Sequence, residues 1–253
     1  MSTLFEIDCG GETVTIEKTD DGDFIFHGWD EETELAAIEL GFEPSSCLAI
    51  WKAINNDRLE DELFTEVFWG SSALLVNALI FAGANIEAQE HGGGTPLHYA
   101  AMNSNIEITE ALLNAGANVD AVDTHGKTPL YPAVSHALHD VAVIILDAGA
   151  NVNAANNMLS TPLHHSAQYS TREITQMLID AGANIYAKEI YGETALHRAA
   201  VRDNVDIVMA LLNAGSRVSE KDIRGKTPLA RAKQLKNYDV VKVLNDWIRE
   251  HGE

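Results

Sequence analysis

Gly126-Lys127-Thr128-Pro129-Leu130-Tyr131 recurs along the chain at a fixed step. Thr95-Pro96-Leu97-His98 stands 33 residues before its core. Thr161-Pro162-Leu163-His164, Thr194-Ala195-Leu196-His197 and Thr227-Pro228-Leu229-Ala230 follow at the same interval. A second word keeps the beat: Ala-Gly-Ala-Asn at Ala82–Asn85, Ala115–Asn118, Ala148–Asn151 and Ala181–Asn184, degraded to Ala214-Gly215-Ser216-Arg217. Two words in constant phase, with no insertion between copies, describe one structural unit stacked on copies of itself.

Each copy reads as two helices and a turn. Threonine is a good N-cap and proline a good first helical residue, because proline lacks only a donor that would be unpaired there. A short helix follows, then a second helix with the apolar series Ile106, Ile108, Ala111, Leu112 and Leu113. Gly116 ends it by supplying a left-handed residue, and the chain runs extended through 117–122 to the next turn. One such unit cannot bury its apolar face alone, so stability comes largely from interfaces between copies. Stepping 33 residues back from Thr95 finds a disguised first copy, with no Thr-Pro word but a second helix at Ser72–Phe81.

These words resemble the ankyrin repeat. The resemblance covers about residues 57–253 and implies a mainly α fold: a solenoid of helix pairs with β-hairpin fingers. Six repeats are expected at about 57–89, 90–122, 123–155, 156–188, 189–221 and 222–253, the first and last atypical caps. Ahead of them, residues 1–56 read as a small α/β cap. Gly10-Gly11 and Asp21-Gly22 between apolar runs predict a three-stranded meander, and helices are expected at Asp30–Leu40 and from Pro44 to about Asn55. Two copies depart from the pattern. Pro132 removes an early helical donor in the third repeat. Leu159 stands where Gly126, Gly192 and Gly225 stand in other copies, which predicts a different turn in that finger.

The formal net charge is −21, with 26 acidic and 4 basic side chains in residues 1–171 against 12 and 13 in residues 172–253. Such a surface repels nucleic-acid phosphate and anionic lipid and steers basic proteins inward. Only Cys9 and Cys47 occur, which fits a reducing compartment. The first residues lack a signal peptide and no apolar run reaches membrane-spanning length, so the expectation is a soluble, cytoplasmic, monomeric protein.

No chemistry of its own is expected: neither a catalytic residue, a cofactor nor a metal. No serine sits in a nucleophile elbow, and the Gly92-Gly93-Gly94 run is a repeat turn. The pair His164-His165, and His136 with His139, lack a recognised ligand pattern around them. The resemblance makes His98, His164 and His197 structural, hydrogen-bonding across to the neighbouring repeat. It also places partner contacts at the finger tips and the ends of the first helices. Those positions give Met102, His125, His136, Met158, Tyr169, Ile190, Tyr191, Arg202, Ile223 and Arg224 as candidate partner-binding residues. Aromatic and methionine side chains beside arginine are what an interface core favours. The expected function is a protein–protein interaction module, an inhibitor or sequestering protein of immunity type that binds a basic partner. The alternatives are an adaptor or secreted effector engaging a host protein, and an enzyme with a site in the N-terminal segment near Cys9, His27 or Cys47.

Overall fold

The computed structural model describes residues 3–8, 13–18 and 24–27 as backbone, and residues 58–69 and 72–252 in full. The strands β1 (Thr3–Asp8), β2 (Thr13–Lys18) and β3 (Phe24–His27) pair antiparallel in that order, with Thr3 opposite Lys18 and Thr15 opposite His27. The two helices expected within residues 30–55 lie outside the described residues, as do the side chains of Cys9, His27 and Cys47.

The described helices come in pairs: α1 (Leu59–Trp69) with α2 (Ala73–Ala82), α3 (Pro96–Met102) with α4 (Ile106–Asn114), and α5 (Leu130–Ser135) with α6 (His139–Asp147). Then follow α7 (Pro162–Tyr169) with α8 (Arg172–Asp180), α9 (Ala195–Val201) with α10 (Val205–Asn213), and α11 (Pro228–Leu235) with α12 (Tyr238–His251). They fall into two compact units, Met1–Gln89 with Glu107–Ala117, and Glu90–Ile106 with Asn118–Glu253.

In the first unit, the disguised repeat keeps its second helix. Ser72 caps α2 by accepting from the Leu75 N–H, and Gly83 closes it at φ 108. Leu63, Val67, Val76 and Leu79 are almost wholly buried, while Trp69 is 86% exposed.

In the second unit the first helices α3, α5, α7, α9 and α11 form one row, each against the next; α8, α10 and α12 form part of a second row. Between the rows lies a continuous core that includes Leu130, Ile145, Leu163, Leu178, Leu196, Leu211 and Leu244. Removing a leucine from water is worth about 1.5–3 kcal/mol, and here neighbouring repeats supply the cover.

The repeated threonine and histidine lock the helix starts. Thr95 N–H donates to His98 Nδ1 at 3.1 Å, and the same bond joins Thr161 to His164 and Thr194 to His197. With Nδ1 accepting, Nε2 carries the proton and donates to the carbonyl of Lys127, Glu193 or Lys226 in the next repeat, at 2.9–3.1 Å. The third repeat lacks this device because Tyr131 stands in the histidine register. Thr128 Oγ1 is buried without a hydrogen-bond partner, so the N-cap expected there is absent. Pro132 explains the late start of α5. In other copies the residue at its position donates to the threonine carbonyl, as Tyr99 does to Thr95 and Arg198 to Thr194. Proline has no such donor.

The fingers share one turn. Asp123 N–H donates to the Lys127 carbonyl, and Asp123 Oδ1 accepts the His125 and Lys127 N–H groups at 2.8 Å. Asn156, Glu189 and Asp222 repeat both features. Leu159 keeps that turn, contrary to the sequence expectation: its φ is 59° and its N–H reaches the Asn156 carbonyl at 2.8 Å, as Gly126 reaches Asp123. The left-handed conformation costs leucine about 1–2 kcal/mol. The surrounding hydrogen bonds override that cost, and the side chain is more than half exposed, so nothing blocks it.

Candidate functional site

The finger turns also fix the spacing of the tips. Thr124 N–H donates to the Gly92 carbonyl, Asn157 to His125, Ile190 to Met158 and Ile223 to Tyr191, all at 2.9–3.0 Å. This ladder presents Met158, Ile190, Tyr191 and Ile223 in a row, each between 42% and 68% exposed. Along this ladder the backbones bond to one another and the four side chains remain partly in solvent. Arg224 is exposed in the same row.

Between the fingers and the first helices of the second to fourth repeats lies a groove of about 680 Å³. Four candidate residues, Met102, His125, His136 and Tyr169, line it. Its floor carries a row of rings tilted against one another. Tyr131 and His165 lie 4.6 Å apart between centroids, and His165 and Tyr169 4.9 Å apart. A cation closes each end, with Lys127 Nζ 5.1 Å from the Tyr131 ring and the Arg202 guanidinium 4.6 Å from Tyr169. Ser135 Oγ donates to the Tyr131 carbonyl and lies 2.8 Å from His165 Nε2, which fixes the middle ring. Burial pushes His165 down to about 4, and Lys127, Arg198 and His136 add to that push. His164 is likewise held near 4, chiefly by burial, and burial also lowers His197. All three are neutral at pH 7, which suits hydrogen-bonding and stacking roles.

Arg202 meets the groove's end over Tyr169, while Met158, Ile190, Tyr191, Ile223 and Arg224 stand apart from it. Tyr191, Ile223 and Arg224 border a smaller cavity of about 250 Å³ at the fifth and sixth repeats, and beside it lies a cluster that sequence reasoning missed. Glu189, Glu193 and Asp222 are buried there. Arg198 Nε pairs with Glu193 at 3.0 Å and its Nη2 with Glu189 at 3.4 Å, while Nη1 donates to Gln168. Arg231 pairs with Glu193 and stands 3.9 Å from Asp222. The finger acids of this half are therefore neutralised within the chain. The signal was legible in the 33-residue register, where Tyr99, Pro132, His165, Arg198 and Arg231 share one position.

Among the described residues no group of three histidines, cysteines or carboxylates is placed to hold a metal ion, and no helix is long and apolar enough to cross a membrane. The family model for ankyrin repeats, in three copies, matches residues 67–156 and 163–248. The chain is an ankyrin-repeat protein. Ankyrin repeats are protein–protein interaction modules, typically without enzymatic activity. A search of curated proteins finds no match to this ankyrin-repeat chain. In it the conserved-looking Thr-Pro-Leu-His word builds helix caps, and the groove and tips carry the variable chemistry.

Proposed function

We propose that this ankyrin-repeat protein captures a partner protein across its finger tips and groove, and acts as a cytoplasmic inhibitor or sequestering protein of a partner with a basic surface. The observation that carries the reading is the row of exposed apolar tips beside a groove floored by a row of packed, tilted rings. Tyrosine, methionine and arginine are residue types that interfaces enrich, and a tyrosine ring gives large contact area at little cost in side-chain entropy. The partner's basic character is supported by charge: 26 of the 38 acidic side chains lie in residues 1–171, which hold 4 basic ones. Such a surface accelerates encounters with cations over a Debye length of about 8 Å at physiological salt.

The test is capture from source lysate by wild type and by Tyr169→Ala/Tyr191→Ala. Both rings are half exposed, so the double variant retains its thermal midpoint and loses the partner. Retained capture refutes the reading. For the captured protein, association slows as salt rises; a salt-independent rate removes the basic-partner element.

A further inference from the structure

The last two repeats show how this scaffold holds a guanidinium. Arg198 and Arg231 project from the first helices and meet the finger acids Glu189, Glu193 and Asp222. The same helix position carries Tyr99 and Pro132 in the second and third repeats, and Gly94 stands in the register of Glu193. Neither position supplies a guanidinium there, and the 680 Å³ groove opens at that place, lined by Gly94, Tyr99, Asp123 and Pro132.

The finger acids, however, remain. Glu90 and Asp123 stand in register with Glu189 and Asp222. Glu90 hydrogen-bonds the Tyr99 hydroxyl. Asp123 Oδ1 accepts two backbone N–H groups, and neither acid forms an ion pair among the described residues. The repeats that keep finger acids without an internal arginine are thus the ones with space for an external one.

We infer that the groove takes an arginine side chain of the partner, its guanidinium at the Asp123 carboxylate and against the Tyr99 ring, in the place that Arg198 and Arg231 fill elsewhere in the chain. The inference rests on the protein-binding reading above. Arginine suits the site better than lysine because its planar group stacks on an aromatic face while its edge forks to a carboxylate. Lys127, the basic side chain lining the groove, opposes the incoming charge but lies over Tyr131. A carboxylate-bearing anchor would face Asp123, with Lys127 as its one basic counterpart in the groove lining.

The probe is acetyl-arginine-methylamide, titrated into the full chain while backbone amide NMR shifts are followed. Acetyl-citrulline-methylamide serves as the uncharged isostere. Saturable shifts are expected at Gly92, Gly94 and His125, at least tenfold weaker with citrulline and in Asp123→Asn. That substitution keeps the turn, since Asn156 makes the same two backbone bonds in the fourth repeat. Lys127→Ala binds the probe several-fold more tightly, and Pro132→Arg, which supplies the guanidinium from within, abolishes its shifts. Equal binding of citrulline, or unchanged binding in Asp123→Asn, overturns the inference. If it fails while Tyr169 and Tyr191 are still required for partner capture, the protein-binding reading stands alone.

Discussion

Acidification should destabilise this protein through His164 before most of its carboxylates are protonated. The imidazole is 2% exposed, accepts the Thr161 N–H at Nδ1 and lies 3.1 Å from the Glu193 carbonyl at Nε2. Burial lowers its pKa from 6.5 to about 4, and the Arg198 and His197 charges push the same way. The backbone carbonyls of Glu193 and Ala187 favour the protonated form but do not overcome burial. The native pKa lies below the unfolded one, so between those values the unfolded chain binds the proton and the native chain does not. Stability is therefore full above pH 6.5 and falls as pH drops towards 4. At pH 5 an unfolded histidine is almost fully protonated, while His164 is about a tenth protonated. At 1.36 kcal/mol per pKa unit, that one side chain removes about 2 kcal/mol between pH 7.5 and 5.

His164→Gln isolates this contribution. Glutamine three residues after a threonine cap still accepts the cap N–H, so the helix start survives without a titrating group. Urea unfolding followed by circular dichroism should give a variant less stable at pH 7.5. Its loss on going to pH 5 should be smaller than that of wild type by about 2 kcal/mol. The His164 ring proton shift should stay constant by NMR down to about pH 5. A ring that titrates near 6.5, or an equal pH dependence in both proteins, refutes the reasoning.

Thr161→Val should cost about 1 kcal/mol in urea unfolding, the usual loss of a helix cap. Thr128→Val should be neutral or slightly stabilising, because that hydroxyl is already buried without a partner. Arg198→Ala leaves Glu189, Glu193 and Asp222 with Arg231 alone and should destabilise by about 3 kcal/mol, with partial recovery as pH falls and the acids protonate. A loss below about 1 kcal/mol would show that solvent reaches the cluster.

The repeat, its helix pairs and the structural role of the histidines were legible because a 33-residue period fixes where each side chain points. Counting along that period placed Met102, His125, His136 and Tyr169 where the groove opened, and put Met158, Ile190, Tyr191 and Ile223 on the tips. Local rules failed where a neighbour overruled them. Leu159 reads as a broken turn, but Asn156 and the bonds between fingers impose the turn regardless. Thr128 reads as a cap, but α5 starts one residue late, at Leu130 after Pro129, and leaves the Thr128 hydroxyl without a partner, whereas Thr227 caps α11 with alanine at the histidine position.

The charge asymmetry of the sequence acquires a physical meaning once its columns are read through the fold. Finger acids recur in both halves because the turn uses a side-chain oxygen to hold two backbone N–H groups, a task that Asn156 performs without charge. What differs is the helix position facing them. Arginine there in the fifth and sixth repeats turns the acids into buried internal pairs. Tyrosine and proline there in the second and third leave Glu90 exposed and Asp123 half-buried in the groove wall. The same backbone therefore ties one set of carboxylates into its own cohesion and leaves the other without an arginine from its own first helices. Pro132 belongs to that division: it shortens α5 and withholds the arginine, so a substitution that repairs the repeat should close the site.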